Sequence, residues 1–253
     1  MKDYDARTYG ERIASVYDEL YADLFDDDAA VARLADLAGG GRALELAIGT
    51  GRIALPLKQR GVDVTGIDIS EAMVAKLRAK PGGADIPIVM GDFGDVDVDG
   101  HFEVVYLVFN TLFALPTQDD QVRCFEKVAR HLTDDGVFVV EAFVPDSTRF
   151  IRHQTTGTDF LGTDHLHLEA SRHDPVTQTV DTQHVVLRQG QLVEMYPVSI
   201  RYSYPGEIDL MARLAGLRLR NRWGGWRREP FTSESNFHVS LYERAPGTRE
   251  APR

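Results

Sequence analysis

The chain has little sulfur, no long apolar run and no excess of basic charge. Its 253 residues include one cysteine, Cys124, so neither a disulfide framework nor a cysteine-based zinc site can be built. A lone thiol in a predicted helix reads as a small buried hydrophobe. Nowhere do eighteen apolar residues run together, and the opening residues Met1-Lys2-Asp3-Tyr4-Asp5 contain no apolar leader, which predicts a cytoplasmic protein without a membrane partner. Acids outnumber Lys and Arg by 39 to 28, a net charge of −11, which argues against nucleic acid as a partner because phosphates need a basic surface. Acidity suits a cationic substrate such as an amine, and it also serves plain solubility. An apolar content of 43% and a charged content of 26% fit one large globular domain, or one domain with an insertion.

The chain is organised around Arg42-Ala43-Leu44-Glu45-Leu46-Ala47-Ile48-Gly49-Thr50-Gly51. A buried strand breaks at two glycines, and helical spacing resumes at Ile53, Leu55 and Leu57. Glycines let backbone N–H groups approach a ligand, and a helix start favours an anion or polar group. With Ala54 and Asp68, the letters fit a dinucleotide fingerprint. With Glu45, they fit the first motif of S-adenosylmethionine (SAM) enzymes. A carboxylate inside a strand is costly unless paired; the methionyl ammonium of SAM supplies a partner, whereas a pyrophosphate does not.

Thr8-x-x-Glu11 has the form of a capping box, and Ile13, Val16, Tyr17, Leu20 and Tyr21 continue at helical spacing, predicting a first helix from Tyr9 to Ala22. Tyr9 and Tyr17 fall near one face, as core or as an aromatic lid. Asp26 to Asp28 cap a second helix over Ala29 to Leu37. Strands follow at Val62–Ile69, Pro87–Met90, Phe102–Phe109 and Gly136–Val144, with helices capped by Ser70 and Thr117 between them. Glu45, Asp68 and Asp92 therefore stand near the ends of three successive strands, the edge where a doubly wound sheet binds ligands. They divide one ligand into ammonium, ribose and adenine, with Phe93 or Ile69 against the ring. That repetition favours SAM over a nicotinamide cofactor.

Asn110 and Thr111 are polar groups at the same edge, Phe113 faces cofactor or substrate, and Glu141 holds a substrate amine or plays a structural part. Beyond residue 150 the pattern alternates by two, predicting an antiparallel insertion of about three strands that covers the substrate. One face of its first strand carries His165, His167, Glu169 and His173, a possible metal or base set; a solvated face explains them as well, and no metal is assigned. Domain boundaries are expected at 1–38 (helical lid), 39–150 (core), 151–205 (insertion), 206–245 (closing helix and strands) and 246–253 (disordered tail).

Taken together, these residues resemble the SAM-dependent methyltransferases, and the resemblance spans nearly the whole chain. It implies an α/β fold, a doubly wound, mostly parallel seven-stranded sheet with helices on both faces, plus the β insertion. Ala47 replaces the first glycine often found in the motif loop. The resemblance implies a cofactor site of Tyr17, Glu45, Ala47, Gly49, Gly51, Arg52, Asp68, Ile69, Met73, Gly91, Asp92, Phe93, Phe109 and Asn110. More narrowly, the Tyr9/Tyr17 pair and the insertion look like actinomycete small-molecule N-methyltransferases, the amino-sugar dimethyltransferases and lincosamide N-methyltransferases. This implies positioning roles for Tyr9 and Tyr17, substrate contacts from Tyr9, Phe113, Glu141 and His167, and a small-molecule amine as partner. Oligomeric state stays open. Ala114 stands where some amino-sugar enzymes have His. The rival readings are an O- or C-methyltransferase, an NAD-dependent oxidoreductase, and a non-catalytic SAM-binding module.

Overall fold

In the computed structural model, which describes residues 1–21 and 26–246, the expected first helix is two short ones, α1 (Thr8–Ile13) and α2 (Tyr17–Leu20). Its expected end, Ala22, and the tail from 247 lie outside the described residues. The Thr8/Glu11 capping box does not form. Asp5 accepts from the Arg7 and Thr8 amides at 3.0 and 2.9 Å. Glu11 instead accepts from the Ser70 hydroxyl at 2.9 Å and the Ala72 amide at 3.2 Å. The reason is close packing: a Cβ on Gly10 would stand 2.5 Å from Ser70 Cβ. That contact brings Glu11 to the positive end of a longer helix, where a carboxylate gains more than on a six-residue one.

The chain then runs α3 (Asp27–Ala38), β1 (Arg42–Leu46), α4 (Ala54–Gln59), β2 (Asp63–Asp68), α5 (Glu71–Ala79), β3 (Ile88–Met90), β4 (Phe102–Leu107), α6 (Gln118–His131) and β5 (Leu132–Phe143). Ser70 and Thr117 cap α5 and α6 as their side chains imply, accepting from the Met73 and Asp120 amides. After the insertion come α7 (Pro205–Leu214) and two closing strands. The insertion has four strands rather than about three: β6 (Gln154–Leu161), β7 (His165–Asp174), β8 (Thr179–Arg188) and β9 (Glu194–Arg201). β6 escaped notice because its residues are almost all exposed, so no alternation marks this edge strand.

With β10 (Leu217–Trp223) and β11 (Phe237–Arg244), the main sheet has the order β10-β11-β5-β4-β1-β2-β3. β3, β2, β1, β4 and β5 are parallel, and β11 is antiparallel to both neighbours. Alternate side chains of each strand feed a core on either face. Leu44, Leu46 and Phe138 enter one with α6 and α7, and Ala43, Val104 and Tyr106 enter the other with α3 and α4. Glu45 projects into the second face, opposite Tyr106 in the register. The inserted sheet packs at one end on the N-terminal helices, through Val186 and Tyr196 against Ile13 and Ala14, and at the other on the core through Val180 and Tyr202. No helix among the described residues is long and apolar enough to cross a membrane.

Candidate active site

The β1–α4 turn is left-handed at Ala47 (φ 57°), Gly49 (φ 56°) and Gly51 (φ 76°). A Cβ on Gly49 would meet only the Ala47 carbonyl, at 3.9 Å, so the space beside this turn is open to a ligand. Gly51 serves packing instead, since a Cβ there would stand 2.2 Å from Leu77 Cδ1. Ala47, which replaces a glycine often found in the motif loop, bears the steric cost of an L residue in this region.

Glu45 is 3% exposed, and the Tyr106 hydroxyl donates to its Oε2 at 2.9 Å. Burial pushes its carboxyl up to about 8 against the pull of Tyr106 and the Ala54 amide. Asp68, at the end of β2, accepts from the Gly49 amide at 2.7 Å and the Ser70 amide at 2.8 Å. It is 6% exposed, and burial raises its carboxyl too. The Gly91 amide donates to the Asp68 carbonyl at 2.8 Å, which brings the end of β3 alongside. There Asp92 is exposed and accepts from the Gly94 amide at 2.8 Å, with Phe93 buried behind it and Ile69 half-buried. Three acids thus mark the ends of three adjacent strands.

The N-terminal helices lie over this edge. Asp18 accepts from the Thr50 hydroxyl at 2.6 Å and pairs with Lys80 at 2.7 Å. Tyr17 lines a narrow cleft with Glu45, Gly49, Arg52, Phe109 and Thr111. Tyr9 does not pair with Tyr17; its hydroxyl donates to that of Tyr21 at 3.1 Å, and the Tyr21 ring is tilted against Tyr17 at 4.9 Å. The break between α1 and α2 redirects Tyr9. Burial raises all three phenols, Tyr9 well above its ordinary value, so each stays protonated at neutral pH.

Several expected ligand contacts are spent on the protein. Arg52 borders the cleft, but its Nη1 donates to the Tyr21 carbonyl at 2.6 Å, Nε pairs with Asp27 at 3.3 Å, and the guanidinium stacks 3.9 Å over Phe109. It clamps the N-terminal segment to the sheet. Met73 is buried against Ile13 and Ala14 and docks α1. After β4, Phe109 (φ 55°) and Asn110 (φ 63°) are both left-handed. Phe109 remains half-buried at the cleft, whereas Asn110 Oδ1 accepts from the Phe143 amide at 2.6 Å. Phe113 is fully buried, edge-on to Phe143 at 4.8 Å, and does not line the cleft. Glu141 accepts from the Phe109 amide and the Trp226 indole; its expected hold on a substrate amine gives way to bracing this turn.

The histidine face is partly solvated: His165, His167 and Glu169 are half-buried, and His173 is buried. His173 is buried, within 2.9 Å of the Tyr202 hydroxyl and stacked on Phe150. His167 is half-buried with burial depressing its pKa, and its neighbours include Phe160 and His165. Instead of His165, His167, Glu169 and His173 converging, it is Asp159, Glu169 and His184 whose ligand atoms lie within 4.8 Å of one another. The charges of Asp159 and Glu169 reach the Tyr21 phenol and help raise it. Sequence reading missed Tyr106, Tyr21, Asp159 and His184. A tyrosine amid the apolar residues of β4 was the one available signal.

Residues 43–136 match the model of a family described as "Methyltransferase domain". The chain is 31% identical over 211 residues to the cypemycin N-terminal methyltransferase of a Streptomyces species, across 81% of this chain and 84% of that protein. It is 34% identical over 116 residues to the dTDP-4-amino-2,3,4,6-tetradeoxy-D-glucose N,N-dimethyltransferase of Saccharopolyspora spinosa, across 45% of each. Among solved structures, the CcbJ methyltransferase of Streptomyces caelestis superposes with a TM-score of 0.91 at 42% identity, across 96% of this chain and 100% of that one.

Proposed function

The chain belongs to the class I SAM-dependent methyltransferases, and from that premise we propose that it methylates an amine nitrogen of a small molecule in antibiotic biosynthesis, in the cytoplasm. The chain's own residues fit SAM: an open glycine at the motif turn, a buried acid at the end of β1, and further acids at the ends of β2 and β3. The bound cofactor supplies an electrophilic methyl group on a sulfonium.

The observation that carries the amine reading is the surroundings of Tyr21. Its phenol is bonded to that of Tyr9 at 3.1 Å and lies in the field of Asp159 and Glu169, beside a cleft edged by Tyr17. Both acids are paired, Asp159 with His184 at 3.6 Å and Glu169 with Arg149 at 3.0 Å, so what this wall offers an amine is the hydrogen-bonding phenols rather than a net negative charge. The amine attacks as its free base, having lost its proton to solvent, and phenols held neutral by burial orient it through hydrogen bonds. Since an unprotonated amine needs little beyond placement, alignment by such groups can supply on the order of 7–11 kcal/mol. The relatives' names point the same way, one an N-terminal methyltransferase of cypemycin and another an N,N-dimethyltransferase of an amino sugar.

Incubation with methyl-labelled SAM and a panel of amino sugars, peptide N-termini and matched alcohols, read by product mass, tests this. Label is expected on amines. Label on hydroxyls alone, or on none of the panel, would sink the N-methyl reading while leaving SAM binding intact.

A further inference from the structure

We propose that the Tyr106 hydroxyl is a positioning group for SAM, fixing the Glu45 carboxylate and stabilising the charged form that meets the cofactor's ammonium. This goes beyond the choice of acceptor and does not depend on it. β1 and β4 are neighbours, and their register sets Glu45 directly beside Tyr106. Tyr106 has no exposed surface, and its hydroxyl hydrogen is given to Glu45 Oε2 at 2.9 Å. Its companions on this face of β4, Val104 and Val108, are purely apolar, so packing alone would be met by phenylalanine. A buried hydroxyl is tolerated where it has a partner.

The other groups around Glu45 do not replace this bond. The Ala54 amide at the start of α4 and the more distant Arg52 favour its charge. Asp68 from β2 opposes that charge, and Tyr17 from α2 is itself raised by it. Tyr106 is held well above its ordinary pKa by burial and by Glu45, so it stays a donor. Without SAM the buried Glu45 keeps its proton at neutral pH, and the Tyr106 hydroxyl favours the carboxylate that forms when the ammonium is bound.

The test is Tyr106→Phe, with affinities for SAM, S-adenosylhomocysteine and 5′-methylthioadenosine measured by calorimetry. The last lacks the amino-acid end. SAM and S-adenosylhomocysteine are expected to bind roughly tenfold more weakly or worse, and methylthioadenosine within about twofold of the parent protein. The SAM gap should be constant below about pH 8 and narrow above it. In a Glu45→Gln background, Tyr106→Phe should cost SAM no further affinity. Equal weakening of all three ligands, an unchanged SAM affinity, or a further loss in the Glu45→Gln background would each overturn the proposal. Should Tyr106→Phe alone fail to fold, a further loss of SAM affinity on adding it to Glu45→Gln would still overturn the proposal.

Discussion

Glu141 accepts the Phe109 amide at 2.8 Å through Oε2 and the Trp226 indole N–H at 3.0 Å through Oε1. A buried carboxylate from β5 therefore braces the left-handed turn that carries Phe109 to the cleft. Glu141→Ala removes the buried acceptor of both bonds and should destabilise the fold by about 2–4 kcal/mol. Chemical denaturation measures this, and a loss below about 1 kcal/mol would show that the brace is dispensable.

Ala47 sits at φ 57°, where glycine escapes the Cβ clash but adds freedom to the unfolded chain. The first effect outweighs the second in a left-handed site, so Ala47→Gly should stabilise by roughly 0.5–1 kcal/mol. A drop in melting temperature would contradict it.

Glu45 gives stability a pH signature in the absence of SAM. Its folded carboxyl is raised to about 8 from 4.5, so between those values the folded state keeps a proton the unfolded chain has lost. Stability is then greatest below the lower value and falls as pH rises through the window, by at most about 1.4 kcal/mol per unit. Glu45→Gln should flatten that slope. An identical slope in the two proteins would assign it to other groups.

Tyr9 is joined to Tyr21 outside the cleft lining, whereas Tyr17 lines the cleft. Tyr9→Phe should lower kcat roughly ten- to a hundredfold by loosening acceptor placement, with SAM affinity within about twofold. Steady-state kinetics beside SAM titration separates the two effects. A matching loss of SAM affinity would move Tyr9 into the cofactor site.

Arg201 is 6% exposed and joins the inserted sheet to α6 and α7, through Gln121 Oε1 at 2.9 Å and Glu207 Oε1 at 2.7 Å. Arg201→Ala removes the cationic partner of half-buried Glu207, which keeps its Gln118 and Gln178 donors, and should cost about 1.5–3 kcal/mol. Limited proteolysis is expected to cut the insertion first, and uncut β6–β9 would show that its other seams suffice.

The legible part of this protein is what near neighbours encode. Alternation and helical spacing gave the strands and helices of the core, Ser70 and Thr117 announced their caps, and the acids at or near the ends of β1, β2 and β3 fall on one sheet edge. β6 stayed hidden because an exposed edge strand has no buried face to write a pattern. Glu11 misled because a capping box and a tertiary cap use the same side chain, and only the contact of Gly10 with Ser70 chose between them. Glu45 to Tyr106, Glu141 to Trp226 and Arg201 to Gln121 pair residues far apart in the chain. The sequence alone placed Glu45, Asp68 and Asp92 at or near strand ends, because strand-end residues are set by local periodicity. The tertiary structure decided which side chains are free for ligands and which are consumed as braces, because strand order and the docking of the inserted sheet bring distant partners within hydrogen-bonding reach.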